Sequence, residues 1–81
     1  MFPNPAKQTV QIDFSLPESI NGNIILVSIS GSELKELVPT TTFMKGFNSF
    51  QFDISDIVSG IYLVMIKSTK GFKTQRLIIS Q

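Results

Sequence analysis

The chain has 81 residues, 42% of them hydrophobic, with seven basic and six acidic side chains for a net charge of +1, and it contains neither Cys nor His. So short a chain builds one domain at most, and its small core must be used fully. The missing Cys and His remove disulfides, thiol nucleophiles, the usual zinc sites and the commonest general base, and the near-neutral charge argues against holding a polyanion by bulk attraction.

Residues 1–8 read as a lead-in. Pro3 and Pro5 fix φ and remove two backbone donors, and Asn4 between them favours a turn. The sequence therefore predicts a boundary here, with a single sandwich domain over residues 9–81. The N-terminus lacks the basic region and apolar block of a signal peptide. No apolar run approaches the ~18 to 20 residues of a membrane span, so membrane insertion is not expected.

Residues 9–17 alternate cleanly. Val10, Ile12, Phe14 and Leu16 fall on one face and Gln11, Asp13 and Ser15 on the other, and Pro17 stops the run. Residues 18–22 predict a turn, with Asn21-Gly22 as its strongest signal. Pairing of the flanking strands does not follow from it, because consecutive strands of a Greek key often cross between sheets. Residues 23–31 predict a second strand with Ile24 and Leu26 inward, Ile29 packing where the strand turns over, and Gly31 supplying a bend. Residues 32–39 predict a short strand that leaves the sheet, closed by Pro39. Residues 40–48 predict a loop whose Phe43 and Met44 fold back over one end of the core.

The densest strand signal spans residues 50–67. Phe50, Phe52 and Ile54 alternate with Gln51, Asp53 and Ser55, and residues 61–66 are apolar at every position, as expected of a strand covered on most of both sides. Between them a polar connection ending in Gly60 carries Ile57 inward on a tight turn. Gly60 marks a turn conformation or a close backbone approach, and Tyr62 locks its strand to a neighbouring loop through its hydroxyl. A turn at Gly71 leads to a last strand over residues 72–80. Lys67, Lys70, Lys73 and Arg76 cluster in these final residues, on a solvent face and edge where charge discourages edge-to-edge pairing. Six or seven short strands at spacings of roughly 8 to 12 residues, with no segment long enough for a covering helix, predict an all-β antiparallel sandwich.

Catalytic patterns are thin. No His activates any Ser, and no GxSxG context occurs. Asp53 and Asp56 are the closest approach to paired carboxylates or to a calcium site. However, Asp53 alternates with core phenylalanines, Asp56 lies in a turn where local backbone N–H groups occupy such side chains, and the spacing fits no calcium loop. Phe72, Lys73 and Arg76 interleave an aromatic with basic residues too sparsely for nucleic-acid recognition. Cofactor and metal ligands are not expected.

A set of segments taken in order carries a family resemblance. These are PNPAK at residues 3–7, a first strand ending SLPE, Ile29-Ser30-Gly31 closing the second strand, FDISDIVSGIYLV at residues 52–64, and a basic turn before a last strand ending RLIIS. The chain resembles the type A C-terminal sorting domain of the type IX secretion system of Bacteroidota. The resemblance implies a small immunoglobulin-like β-sandwich of about seven strands and a non-catalytic address label. It implies a cargo domain N-terminal to it and transit through the periplasm. The outer-membrane type IX machinery would recognise the domain, and a surface sortase-like peptidase would usually cleave it. The cargo would end at the cell surface or outside.

Pro3, Asn4, Pro5, Gly31, Gly60 and Tyr62 match the family's motifs. Residues 73–79 match its basic-then-apolar last strand, and with the basic turn residue ahead of it the expected recognition residues are Lys70, Lys73, Arg76, Leu77 and Ile79. The chain departs from the family at Ser28, where Asp is common, at Ser32, where a basic residue is usual, and at Gln81, where the family often closes on a basic residue. The competing reading is an immunoglobulin- or fibronectin-like spacer or carbohydrate-binding module, which would need several exposed aromatics on one face. By strand assignment only Phe2 and Phe43 are free.

Overall fold

The computed structural model describes Pro3 and residues 5–81; Asn4 of the opening motif and Phe2 lie outside the described residues. Among these residues there are six strands and no helix: β1 (Thr9–Leu16), β2 (Ile20–Ser28), β3 (Glu33–Phe43), β4 (Gly46–Asp53), β5 (Gly60–Ser68) and β6 (Gly71–Ile79). They form two antiparallel sheets, β1-β4 and β3-β2-β5-β6. Hairpins join β2 to β3 and β5 to β6, while the β1–β2, β3–β4 and β4–β5 connections cross between the sheets. The result is the expected all-β sandwich.

Alternation places the core. Val10 and Ile12 of β1 and Ile54 after β4 meet Ile24 and Leu26 of β2, Val64 of β5, and Leu77 and Ile79 of β6, all buried in one apolar cluster. Phe43 fills one end. Its ring meets Phe14 edge-on at 5.4 Å and Phe50 at 5.8 Å, and Phe50 stacks on Phe52 at 6.2 Å. Such aromatic contacts contribute about 0.5–1.5 kcal/mol each beyond area burial.

Several local expectations change. Asn21-Gly22 is not a turn: the chain turns over Pro17–Ser19 and β2 already begins at Ile20. Gly22 is there because a Cβ would stand 2.2 Å from the Lys67 carbonyl oxygen on β5. The predicted short strand and loop over residues 32–48 are instead the 11-residue β3 and the start of β4, and β3 stays paired with β2 along its length. Pro39 is tolerated because β3 is an edge strand and the register slips between Val38 and Thr41, so its missing N–H costs no ladder bond. Phe43 does cover one end of the core, at 2% exposure, but from the end of β3 and without Met44, which stays in solvent. Ile29 is 66% exposed and lies outside the core cluster, because the Ser28 to Ser32 turn carries it beyond the end of β2.

Other expectations hold. Gly31 has φ 98° in that turn, as its bend requires. Ile57 donates its N–H to Ile54 O at 3.0 Å in a tight turn and packs against the core.

The lead-in is tied to the end of the chain. Ala6 is fully buried; its N–H donates to Ile78 O and its carbonyl accepts from Ser80 N–H, both at 2.8 Å, in a parallel bridge opposite Ile79.

Candidate functional site

The residues singled out in the sequence converge on the β5–β6 hairpin, but not on one surface of it. β6 pairs with β5 without a register slip, Tyr62 opposite Leu77 and Ile66 opposite Lys73. Side chains therefore alternate strictly between two faces. Leu77 and Ile79 belong to the core. A partner can reach these side chains only by opening the sandwich, so their contribution to any contact is to hold β6 in place. Lys73 lies on the same inward face, beside the half-buried Ile66, at the rim of a cleft. Phe72, Thr74, Arg76 and Ile78 occupy the outward face, and Lys67, Leu63 and Ile61 of β5 stand opposite Phe72, Arg76 and Ile78.

The basic residues are thus dispersed. Lys70 sits in the hairpin turn and forms an ion pair with Glu18, Lys73 faces the cleft, and Arg76 faces outward. What the outward face gathers is an apolar strip with cations within it: Phe72, Ile61 and Ile78 are exposed beside Arg76 and Lys67. On the outer face of residues 61–66, Leu63 and Met65 are half-buried beside Val27 and Ile25 of β2, and only Ile61 is exposed. The expected cover on most of both sides therefore holds except at Ile61, and the sequence singled out neither Ile61 nor Ile78 as exposed, while Phe72 stood out only beside Lys73 and Arg76.

The family-motif residues lie around this hairpin. Tyr62 donates its hydroxyl to Val58 O, locking β5 to the connection before it, as its sequence context predicts. Gly60 opens β5 with neither a left-handed φ nor a forced approach, since a Cβ there would meet the Tyr62 ring at an ordinary 3.5 Å. This corrects both reasons expected for it. Gln81 closes the same corner: its side-chain amide donates to Ile54 O and Ile57 O, each at 2.9 Å, and its N–H donates to Ser59 Oγ at 2.8 Å. Pro3 and Pro5 flank a shallow surface hollow with Lys7, Gln8 and Thr9, next to the buried Ala6.

Ser28 accounts for one departure from the family pattern. Its Oγ accepts the Ser32 N–H at 3.1 Å, the contact a carboxylate at that position would make with the same turn.

The carboxylates have local duties. Asp53 accepts the Ser55 N–H at 2.9 Å, and that backbone bond holds its carboxyl below the usual range. Asp56 lies 3.8 Å from Lys35. Asp13 accepts from Ser49 Oγ at 2.5 Å and from Gln11, and these two bonds, Ser49 first, lower its pKa as well. Among the described residues no three metal-ligating side chains gather.

The secretion system C-terminal sorting domain family model matches residues 1–80. No curated protein and no solved structure matches the chain. With the match running over all but the last residue, and an all-strand sandwich beneath it, the chain belongs to the family of C-terminal sorting domains of the type IX secretion system.

Proposed function

We propose that this domain is a non-catalytic label that the outer-membrane type IX machinery reads from the outward face of the β5–β6 hairpin. Family membership supports a secretion sorting signal. The observation that carries the finer reading is the exposure of apolar side chains on the outward face around Arg76, where Phe72 is 68% and Ile61 45% exposed. A monomeric surface strand would ordinarily be polar there, and cations within an apolar patch suit an acidic-rimmed apolar receptor surface by charge complementarity. In this reading the cargo precedes the lead-in, the folded domain crosses the periplasm, and a surface sortase-like peptidase removes it. Cargo delivery is to the cell surface or the medium.

A carbohydrate-binding module is less well supported. The two exposed phenylalanines among the described residues, Phe47 and Phe72, lie on different sheets, and no aromatic platform forms.

A reporter fused ahead of residues 1–81 and expressed in a type IX-competent host tests the reading. The native tail is expected to export it. Phe72→Ser, Arg76→Glu and Ile78→Ser together are expected to block export while the isolated domain keeps its thermal melt. Undiminished export of the folded triple variant would overturn the proposed reading face.

A further inference from the structure

A cleft separates the free edge of β1 from that of β6. Its larger part holds about 300 Å³ and is lined by Phe14 and Leu16 of β1, Ile20 of β2, Phe43, Ile66 of β5 and Lys73 of β6. A second part, about 210 Å³, continues along Ile12 to Phe14 and Lys73 to Gln75. Four of these linings, Phe14, Leu16, Ile20 and Ile66, are apolar and only partly buried. The two-stranded sheet is too narrow to cover the four-stranded one, and the shortfall falls here.

Both walls offer unused backbone. Ile78 O accepts from Ala6 on the outer edge of β6, so the N–H and C=O groups two and three steps back along the ladder, at Thr74 and Phe72, also point away from β5. Gln8 O accepts from Ile54 N–H, which directs alternate residues of β1 toward β4 and leaves Thr9, Gln11, Asp13 and Ser15 facing the other way. Free strand edges above an apolar floor are the recognition surface for an extended peptide, where main-chain bonds supply affinity and alternate side chains fill pockets.

Charge selects the occupant. Lys73 lines the cleft and has no ion-pair partner among the described residues, while Asp13 on the opposite wall is held by Ser49 and Gln11 and Lys70 at the mouth is matched by Glu18. An inward lysine on an edge strand opposes pairing with an identical edge, since Lys73 would meet Lys73. It favours an acidic residue at the same level. We propose that the cleft between β1 and β6 accepts an extended segment of a partner protein whose inward side chains are an acid beside Lys73 and apolar groups over Phe14 and Ile66. This concerns the folded domain itself and does not rest on export through the β5–β6 face.

The probe is a capped heptapeptide, Thr-Glu-Thr-Phe-Thr-Val-Thr, titrated into the isotopically labelled 81-residue domain and followed by amide chemical shifts. Shifts are expected at residues 12–14 and 72–75. They should vanish with the same peptide N-methylated at alternate residues, and with a Lys-for-Glu peptide. Lys73→Glu should weaken binding of the Glu peptide by roughly tenfold and restore binding of the Lys peptide. Thr74→Pro removes only an outward donor and should abolish binding in a folded domain; Lys73→Glu preserves every ladder bond if that variant fails to fold. Absent shifts, shifts elsewhere, or equal response to both peptides would overturn the proposal. So would concentration-dependent shifts of the domain alone, which would assign the cleft to a second copy.

Discussion

Gly22 and the Lys67 carbonyl are packed so closely that a single added methyl at position 22 would stand 2.2 Å from the oxygen. Gly22 lies in β2 opposite Ser68, one pair from Lys67, where β2 and β5 form the centre of the four-stranded sheet. Backbone cannot move aside there as a flexible side chain can. Gly22→Ala is expected to cost about 3 kcal/mol, the upper range of overpacking, and to lower the melting temperature by more than 10 °C. Gly60→Ala, where φ is ordinary and the nearest contact relaxed, should instead be neutral or stabilising by about 0.5 kcal/mol. Thermal melts of the two variants side by side check the contrast.

Tyr62→Phe keeps the ring and deletes the bond to Val58 O. The expected loss is about 1 kcal/mol, read by denaturant titration with an unchanged slope. Amide exchange should quicken over residues 55–59, since that connection loses one of its ties.

Gln81 anchors the same connection by donating from its amide to two carbonyls. An ammonium group donates too, so Gln81→Lys should retain the anchor, whereas Gln81→Ala should cost about 1 kcal/mol and loosen residues 54–59. The amide protection of Ile57 distinguishes the two variants. A basic residue at this position is on this view a structural tie, and its charge is incidental.

Acid should destabilise the domain through Asp13 and Asp53. Both carboxyl pKa values are depressed in the fold by hydrogen bonds. The stabilisation is therefore fully present above the unfolded value, about 3.9, and is lost as pH falls through the lower folded values. With no His in the chain, stability should be flat from about pH 5 to 8. Carboxyl NMR titration should show the Asp13 pKa rising toward the ordinary value in Ser49→Ala, because Ser49 is the leading cause of its depression.

How much of this was legible in the sequence depended on whether a residue answers to its neighbours along the chain or across space. Val10, Ile12, Phe50 and Phe52 alternate with polar residues, Leu77 and Ile79 are apolar at alternate positions, and each strand they mark is present. Asn21-Gly22 misled because the glycine serves the close approach of Lys67 on β5, 45 residues farther along the chain, and no local pattern records that. Pro39 and the threonines after it suggested a strand end, yet an edge strand with a slipped register absorbs them. At the hairpin, the basic cluster was visible as composition, but its division among the turn, the cleft and the outward face follows only from which residues of β6 oppose which of β5. The cleft itself could not be foreseen, since it is set by the difference in width between the sheets.

The parallel bridge at Ala6 has a mechanical consequence. Tension applied to the chain ahead of residue 5 runs along the bridge, so its two hydrogen bonds to Ile78 and Ser80 are loaded in shear and share the strain instead of unzipping singly. Traction from that side is felt by β6 before it can peel β1 from β4, so the strand farthest along the chain from the pulled end is the one that first resists.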